Sequence, residues 1–95
     1  MDEKIINTIK DLLIKNDIEY AALFGSRARG DNHPDSDYDI LIRFKKNKEK
    51  GLFEFIGLED DLSEILKKKV DLVVEDSLSP YIRDYVLKDL KVIYQ

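Results

Sequence analysis

The chain predicts an α/β fold, and three observations on its 95 residues carry that prediction. Apolar residues recur at helical spacing in residues 2–15, 52–68 and 80–87. Short runs rich in β-branched and aromatic residues stand between and after them: IEYAALF, SDYDILIRF, VDLVVE and KVIY. Turn-forming clusters separate the two kinds of segment, so helices and strands alternate along one small sheet-forming chain.

Taken in order, Ile5, Ile6, Ile9, Leu12 and Leu13 fall on one face of a first helix, with Lys4, Asn7, Lys10 and Asp11 opposite. Asn16 and Asp17 break it, and residues 18–24 form a buried strand that ends at Gly25. Residues 25–35 mix small, basic and turn-forming types, and Pro34 limits helix at His33, so a short helical turn and a loop are expected. Residues 36–44 return to a strand, with Asp37, Asp39, Leu41 and Arg43 on one face and Tyr38, Ile40, Ile42 and Phe44 on the core side.

The lysine-rich residues 45–50 read as a solvated connection. A second long amphipathic helix covers residues 52–68, ending in Lys67, Lys68 and Lys69, the charge that suits a helix C-terminus. Residues 70–75 form a strand with Asp71 and Val73 on one face and Val70, Leu72 and Val74 on the other. Ser79 and Pro80 make an N-cap and first-turn pair for a last helix, whose expected inner face is Tyr81, Ile82, Tyr85 and Val86, with an exposed aromatic patch of Tyr81, Tyr85 and Tyr94 for a partner equally open. Residues 91–94 close the chain as an edge strand or extended tail.

Length bounds the rest: a single domain over residues 1–95, with one core and no large enclosing cleft. A composition of 43% hydrophobic and 38% charged residues suits a folded, soluble chain. The absence of cysteine excludes disulfides and thiolate metal sites. No signal peptide and no membrane-length apolar run are visible, and the expected compartment is the cytoplasm. A net charge of −4 argues against direct binding of nucleic acid through its phosphates.

The chemistry concentrates in LFGSRARGDNHPDSDYDILIRF, residues 23–44. Asp37 and Asp39 are two apart, so on a strand both carboxylates share a face. Like charges side by side repel unless a cation sits between them, and hard oxygen ligands suit Mg²⁺. Turn residues preceding a strand are the plainer alternative for Asp35, Ser36, Asp37 and Asp39. A calcium loop fails in detail, with Ile40 where glycine is needed and Lys46 at the twelfth position.

Gly25 and Ser26 follow a strand and open a helical turn, where N–H groups and a hydroxyl can hold phosphate oxygens. A Walker-type loop is ruled out because Asp31 and Asn32 follow Gly30. Ser26 as an acyl-transfer nucleophile lacks an oriented base, since the only histidine, His33, lies in the loop. Asp71 is the one acidic residue inside the later apolar strand, either an edge carboxylate facing water or one with a chemical task. Arg27 and Arg29 read equally as solvated helix residues or as groups that neutralise phosphate charge.

The spacing Gly25-Ser26, ten residues, then Asp37-Tyr38-Asp39 resembles the polymerase-β-type nucleotidyltransferases, and GSRARG followed by SDYDILI is similar to the minimal nucleotidyltransferases of prokaryotes. The resemblance covers nearly the whole chain. It implies the polymerase-β-like fold, a mixed sheet with helices packed on one face and the site on the other. It implies that Gly25 and Ser26 hold a nucleoside triphosphate, ATP, whose charge Arg27 and Arg29 would neutralise if they are not solvated helix residues. It implies that Asp37, Asp39 and Asp71 hold two Mg²⁺ ions, with Asp71 also activating the acceptor hydroxyl. Members of this group pair with HEPN-type ribonuclease toxins, so the implied activity is an antitoxin that transfers AMP to a hydroxyl of its toxin partner. Two alternatives stay open: an antitoxin acting by contact alone, and a small-molecule nucleotidyltransferase completed by a second subunit. Acceptor residue, base preference and oligomeric state are not encoded in these motifs.

Overall fold

The computed structural model describes residues 2–95. Asp2 accepts a hydrogen bond from the Ile5 N–H at 3.0 Å and so caps the first helix, α1 (Glu3–Lys15), at its exposed donors. After Asp17, which takes a positive φ of 60°, comes β1 (Ile18–Phe24), then one helical turn, α2 (Ser26–Arg29). The chain continues through β2 (Tyr38–Phe44), α3 (Leu52–Leu66), β3 (Val70–Val74), a 3-10 turn at Glu75–Ser77, α4 (Pro80–Lys88) and β4 (Lys91–Tyr94).

The four strands form one mixed sheet in the order β3-β2-β1-β4. β1 runs antiparallel to both β2 and β4, while β2 and β3 are parallel. Parallel neighbours require a long crossover, and α3 supplies it. On one face, Ile9 and Leu13 of α1 and Leu58 and Leu62 of α3 pack with Leu23, Ile40, Ile42, Val70 and Leu72 of the strands. Each such aliphatic side chain contributes roughly 1.5–3 kcal/mol when buried. A bulge between Ile18 and Tyr20 shifts the register, which lets Ile18 and Ala21, an odd number of residues apart, both enter this core.

The other face carries Phe24, Asp39 and Asp71 at one end, and Tyr20, Arg43 and Glu75 at the other. Its middle holds the opposed residues Ala22 and Leu41, both fully buried. α4 is tied to this face: Arg83 lies 3.8 Å from Glu75, Tyr85 lies against Arg29, and Val86 is buried.

Three expectations need correcting. The second strand begins at Tyr38, which leaves Asp37 one residue outside it; Tyr38 is where ladder bonding to the 69–70 segment starts, its N–H donating to the Lys69 carbonyl at 2.9 Å. The long helix stops at Leu66: Lys67 turns left-handed with φ 55°, and Ser63 Oγ accepts from the Val70 N–H, so the chain reverses before the lysines can form a last turn. In α4 only Val86 is buried, while Tyr81, Ile82 and Tyr85 are 96%, 50% and 66% exposed. The lysine-rich connection is solvated as expected, residues 45–49 being exposed, and Lys50 at its end pairs with Asp17 at 2.9 Å. Among the described residues no helix is long and apolar enough to cross a membrane.

Candidate active site

Gly25 sits where β1 ends, with φ 73° and ψ −153°, a region essentially reserved for glycine. Its carbonyl accepts from the Ala28 and Arg29 N–H groups, both at 3.1 Å, and so opens α2. A Cβ at this position would overlap Asp39 Oδ2 and lie 3.3 Å from its Cγ. The missing side chain is therefore what allows the Asp39 carboxylate to lie against the backbone turn. Gly30, with φ 84°, ends α2 in the left-handed region, and its N–H donates to the Ser26 carbonyl at 2.9 Å.

Asp39 faces Phe24 across the antiparallel ladder and Asp71 across the parallel one. Strand register alone places the two carboxylates side by side on one face. Burial, then the Asp71 charge, then the Asp37 charge push the Asp39 carboxyl above its ordinary range, with Arg29 opposing. Asp71 is 46% exposed and has Lys69 Nζ at 3.8 Å, a loose surface contact that leaves the carboxylate accessible. Asp37 is exposed at the mouth of the strand, close enough for its charge to act on Asp39.

The two arginines have different surroundings. Arg27 donates from Nε and Nη2 to the Ser36 carbonyl at 3.2 and 2.8 Å, and from Nη2 to the Pro34 carbonyl at 3.3 Å. Its guanidinium carbon also stands 3.9 Å from the centre of the Tyr38 ring. Arg27 thus braces the loop that delivers Asp37, a function the sequence does not announce. Arg29 pairs with Asp31 at 3.1 Å, touches Tyr85 and lends positive potential to Asp39. Ser26 is half-buried as the first residue of α2. His33 is an exposed loop residue whose N–H donates to Ser36 Oγ at 2.8 Å.

Gly25, Ser26, Arg29, Asp39 and Asp71 are thus gathered around one end of the sheet, with Asp37 at its edge. Among the described residues, no three His, Cys, Asp or Glu side chains close into a ready-made metal cage. Mg²⁺ needs no such cage, since it is commonly held by one or two carboxylates with substrate phosphates and water completing its shell. The mutually repelling pair Asp39 and Asp71 is a donor set of that kind. Tyr85 beside Arg29 is the contact that sequence reasoning missed, because nothing in residues 80–88 reports which strand end the helix crosses.

Residues 7–95 match the polymerase beta nucleotidyltransferase family, and the chain belongs to it. It is a nucleotidyltransferase, an enzyme whose substrate is a nucleotide. Within that family it is 38% identical over 96 residues to a Methanocaldococcus jannaschii protein provisionally named a protein adenylyltransferase, covering 92% of this chain and 96% of that one. It is 37% identical over 81 residues to the protein adenylyltransferase MntA of Thermococcus cleftensis, covering 85% and 80% of the two chains. A similar fold occurs in a toxin-antitoxin crystal structure with AMP-PNP, with TM-score 0.79, 28% identity, and 94% and 72% of the two chains covered. Another occurs in a complex of tri-AMPylated Shewanella oneidensis HEPN toxin with its MNT antitoxin, with TM-score 0.74, 25% identity, and 99% and 72% covered.

Proposed function

We propose that this chain transfers AMP from ATP to a hydroxyl of a partner protein, a HEPN-type toxin that it thereby neutralises. The observation that carries the reading is the in-register pair Asp39 and Asp71 set against the bare backbone of Gly25, two like charges held side by side at the turn that opens α2. The similar antitoxin bound to an AMPylated toxin supports the choice of acceptor.

In this reading Gly25 and Ser26 present N–H groups and a hydroxyl to the triphosphate, and Arg29 adds charge beside them. Asp37, Asp39 and Asp71 would hold two Mg²⁺ ions, which would supply positive charge to offset the triphosphate and polarise the α-phosphorus. Arg27 keeps Asp37 in place through the Ser36 carbonyl. Asp71 accepts the proton of the acceptor hydroxyl as its oxygen bonds to the α-phosphorus and the bond to the β-phosphate oxygen breaks, releasing pyrophosphate. The acceptor protein docks over the exposed rings of Tyr81 and Tyr85, since Tyr85 adjoins Arg29 and so continues the rim of the site.

Asp71→Asn separates chemistry from binding. Transfer is expected to fall by ~10²- to 10⁴-fold, the usual contribution of a general base, while ATP and partner affinities stay within a few-fold of the parent. A variant that transfers at the parent rate removes Asp71 from the reaction. One that silences the toxin fully without transfer shows that contact alone neutralises it.

A further inference from the structure

A second concavity, of about 390 Å³, opens on the opposite side of the sheet from the carboxylates. It lies where the β1 end meets α1, α2 and β4, and its size falls in the range of small-molecule sites. Leu23 and Ile6 give it an apolar floor, and Lys10, Arg27 and Lys91 project a positive rim, with the Tyr38 ring forming one side. Not one of its lining residues is acidic, although the chain has 20 acids against 16 bases.

The positive charge is also not cancelled locally. Among the described residues, neither Lys10 nor Lys91 takes part in an ion pair. Arg27 spends its hydrogen bonds on neutral carbonyls and an aromatic face, which leaves its charge in place. Three uncompensated cations around one hollow repel one another, and an anion between them relieves that repulsion. An inorganic phosphate would occupy only part of the space and leave the apolar floor wet. A ligand with both a phosphate and a flat apolar part uses the whole pocket.

We propose that this pocket is a second ligand site, separate from the carboxylate face, that binds a small organic phosphate of the nucleoside monophosphate type. The phosphate sits among Lys10, Arg27 and Lys91, and the ring system lies on Ile6 and Leu23. The proposal does not rest on the AMP-transfer reading, because it invokes neither the carboxylates nor a divalent cation; the two share only Arg27, which braces the loop before Asp37 and also lines the pocket.

Equilibrium dialysis with radiolabelled AMP in excess EDTA tests it, comparing the parent with Lys10→Glu, Lys91→Glu and, at the turn proposed to hold the triphosphate and outside the pocket lining, Ser26→Ala. AMP is expected to bind the parent and Ser26→Ala alike, and each charge reversal to weaken binding by ~10-fold or more. Inorganic phosphate alone is expected to bind more weakly than AMP. Lys91→Gln, which removes charge from an exposed position, is expected to show a smaller loss in the same direction. Loss of AMP binding in Ser26→Ala with retention in the lysine variants would overturn the proposal by placing AMP on the carboxylate side. Phosphate binding as tightly as AMP would overturn the organic ligand, and no AMP binding by the parent at millimolar concentration would overturn the site.

Discussion

Asp39 is the residue where fold and function pull in opposite directions. Its carboxyl is raised above the ordinary 3.8 by burial and by the charges of Asp71 and Asp37. The folded chain therefore keeps this proton to a higher pH than the unfolded chain does. That contribution to stability is present below the ordinary value and is lost as pH climbs through the raised one. Asp39→Asn is accordingly expected to raise the melting temperature at pH 7 without divalent cations and to flatten this part of the acid limb, as read by thermal melts from pH 3 to 7. With Mg²⁺ added, the parent is expected to gain stability that the variant does not. A variant that melts below the parent at pH 7 in EDTA would contradict the like-charge account.

Gly25 makes a sharper case at the same scale. An alanine there meets both a backbone conformation that costs about 1–3 kcal/mol and the Asp39 carboxylate. Gly25→Ala should lower the melting temperature by several degrees, and a carboxylate displaced by about 1 Å should lower transfer by ~10²-fold. Parent-like rates in this variant would show that the close approach of Gly25 to Asp39 has no catalytic role.

Among the elements, the loop between α2 and β2 owes its shape to one side chain. Lysine in place of Arg27 keeps the charge but cannot donate as a planar fork or stack as fully on Tyr38. Arg27→Lys is expected to reduce transfer by ~10-fold and to speed hydrogen exchange at the Asp37 and Tyr38 amides, with helical content unchanged. The exposed rings of α4 behave differently, since they support little of the fold. Tyr81→Ala with Tyr85→Ala should change stability by no more than about 0.5 kcal/mol, yet weaken partner binding by more than tenfold if the rings anchor the acceptor. Titration calorimetry with the toxin partner measures this directly.

What could be read from the sequence also divides by element. β1 and β4 have the bounds their β-branched and aromatic runs indicate, because Gly25 and the 88–90 segment mark the limits clearly. Asp71 falls opposite Asp39 because a carboxylate flanked by Val70 and Leu72 must take the face its neighbours leave. Other features depend on distant partners. The start of β2 is set by the Lys69 carbonyl and the end of α3 by Ser63, while Tyr81 and Tyr85 are exposed although they share a short helix with the buried Val86. Arg27 is ambiguous in sequence for the same reason: its acceptors are the carbonyls of Pro34 and Ser36, which any residues at those positions would supply.

On the scale of the whole molecule, the paired carboxylates of Asp39 and Asp71 stand on the open face of a four-stranded sheet, at the end next to Gly25. The proposed acceptor is a protein, as in the similar complex of an AMPylated HEPN toxin with its antitoxin. The intact mass of a HEPN-type partner after incubation with this chain, ATP and Mg²⁺ tests that claim most directly. The account predicts that the partner gains the mass of one or more AMP groups, and that the gain disappears when Asp39→Asn replaces the parent or ATP is left out. A partner that is bound and silenced with its mass unchanged would contradict it.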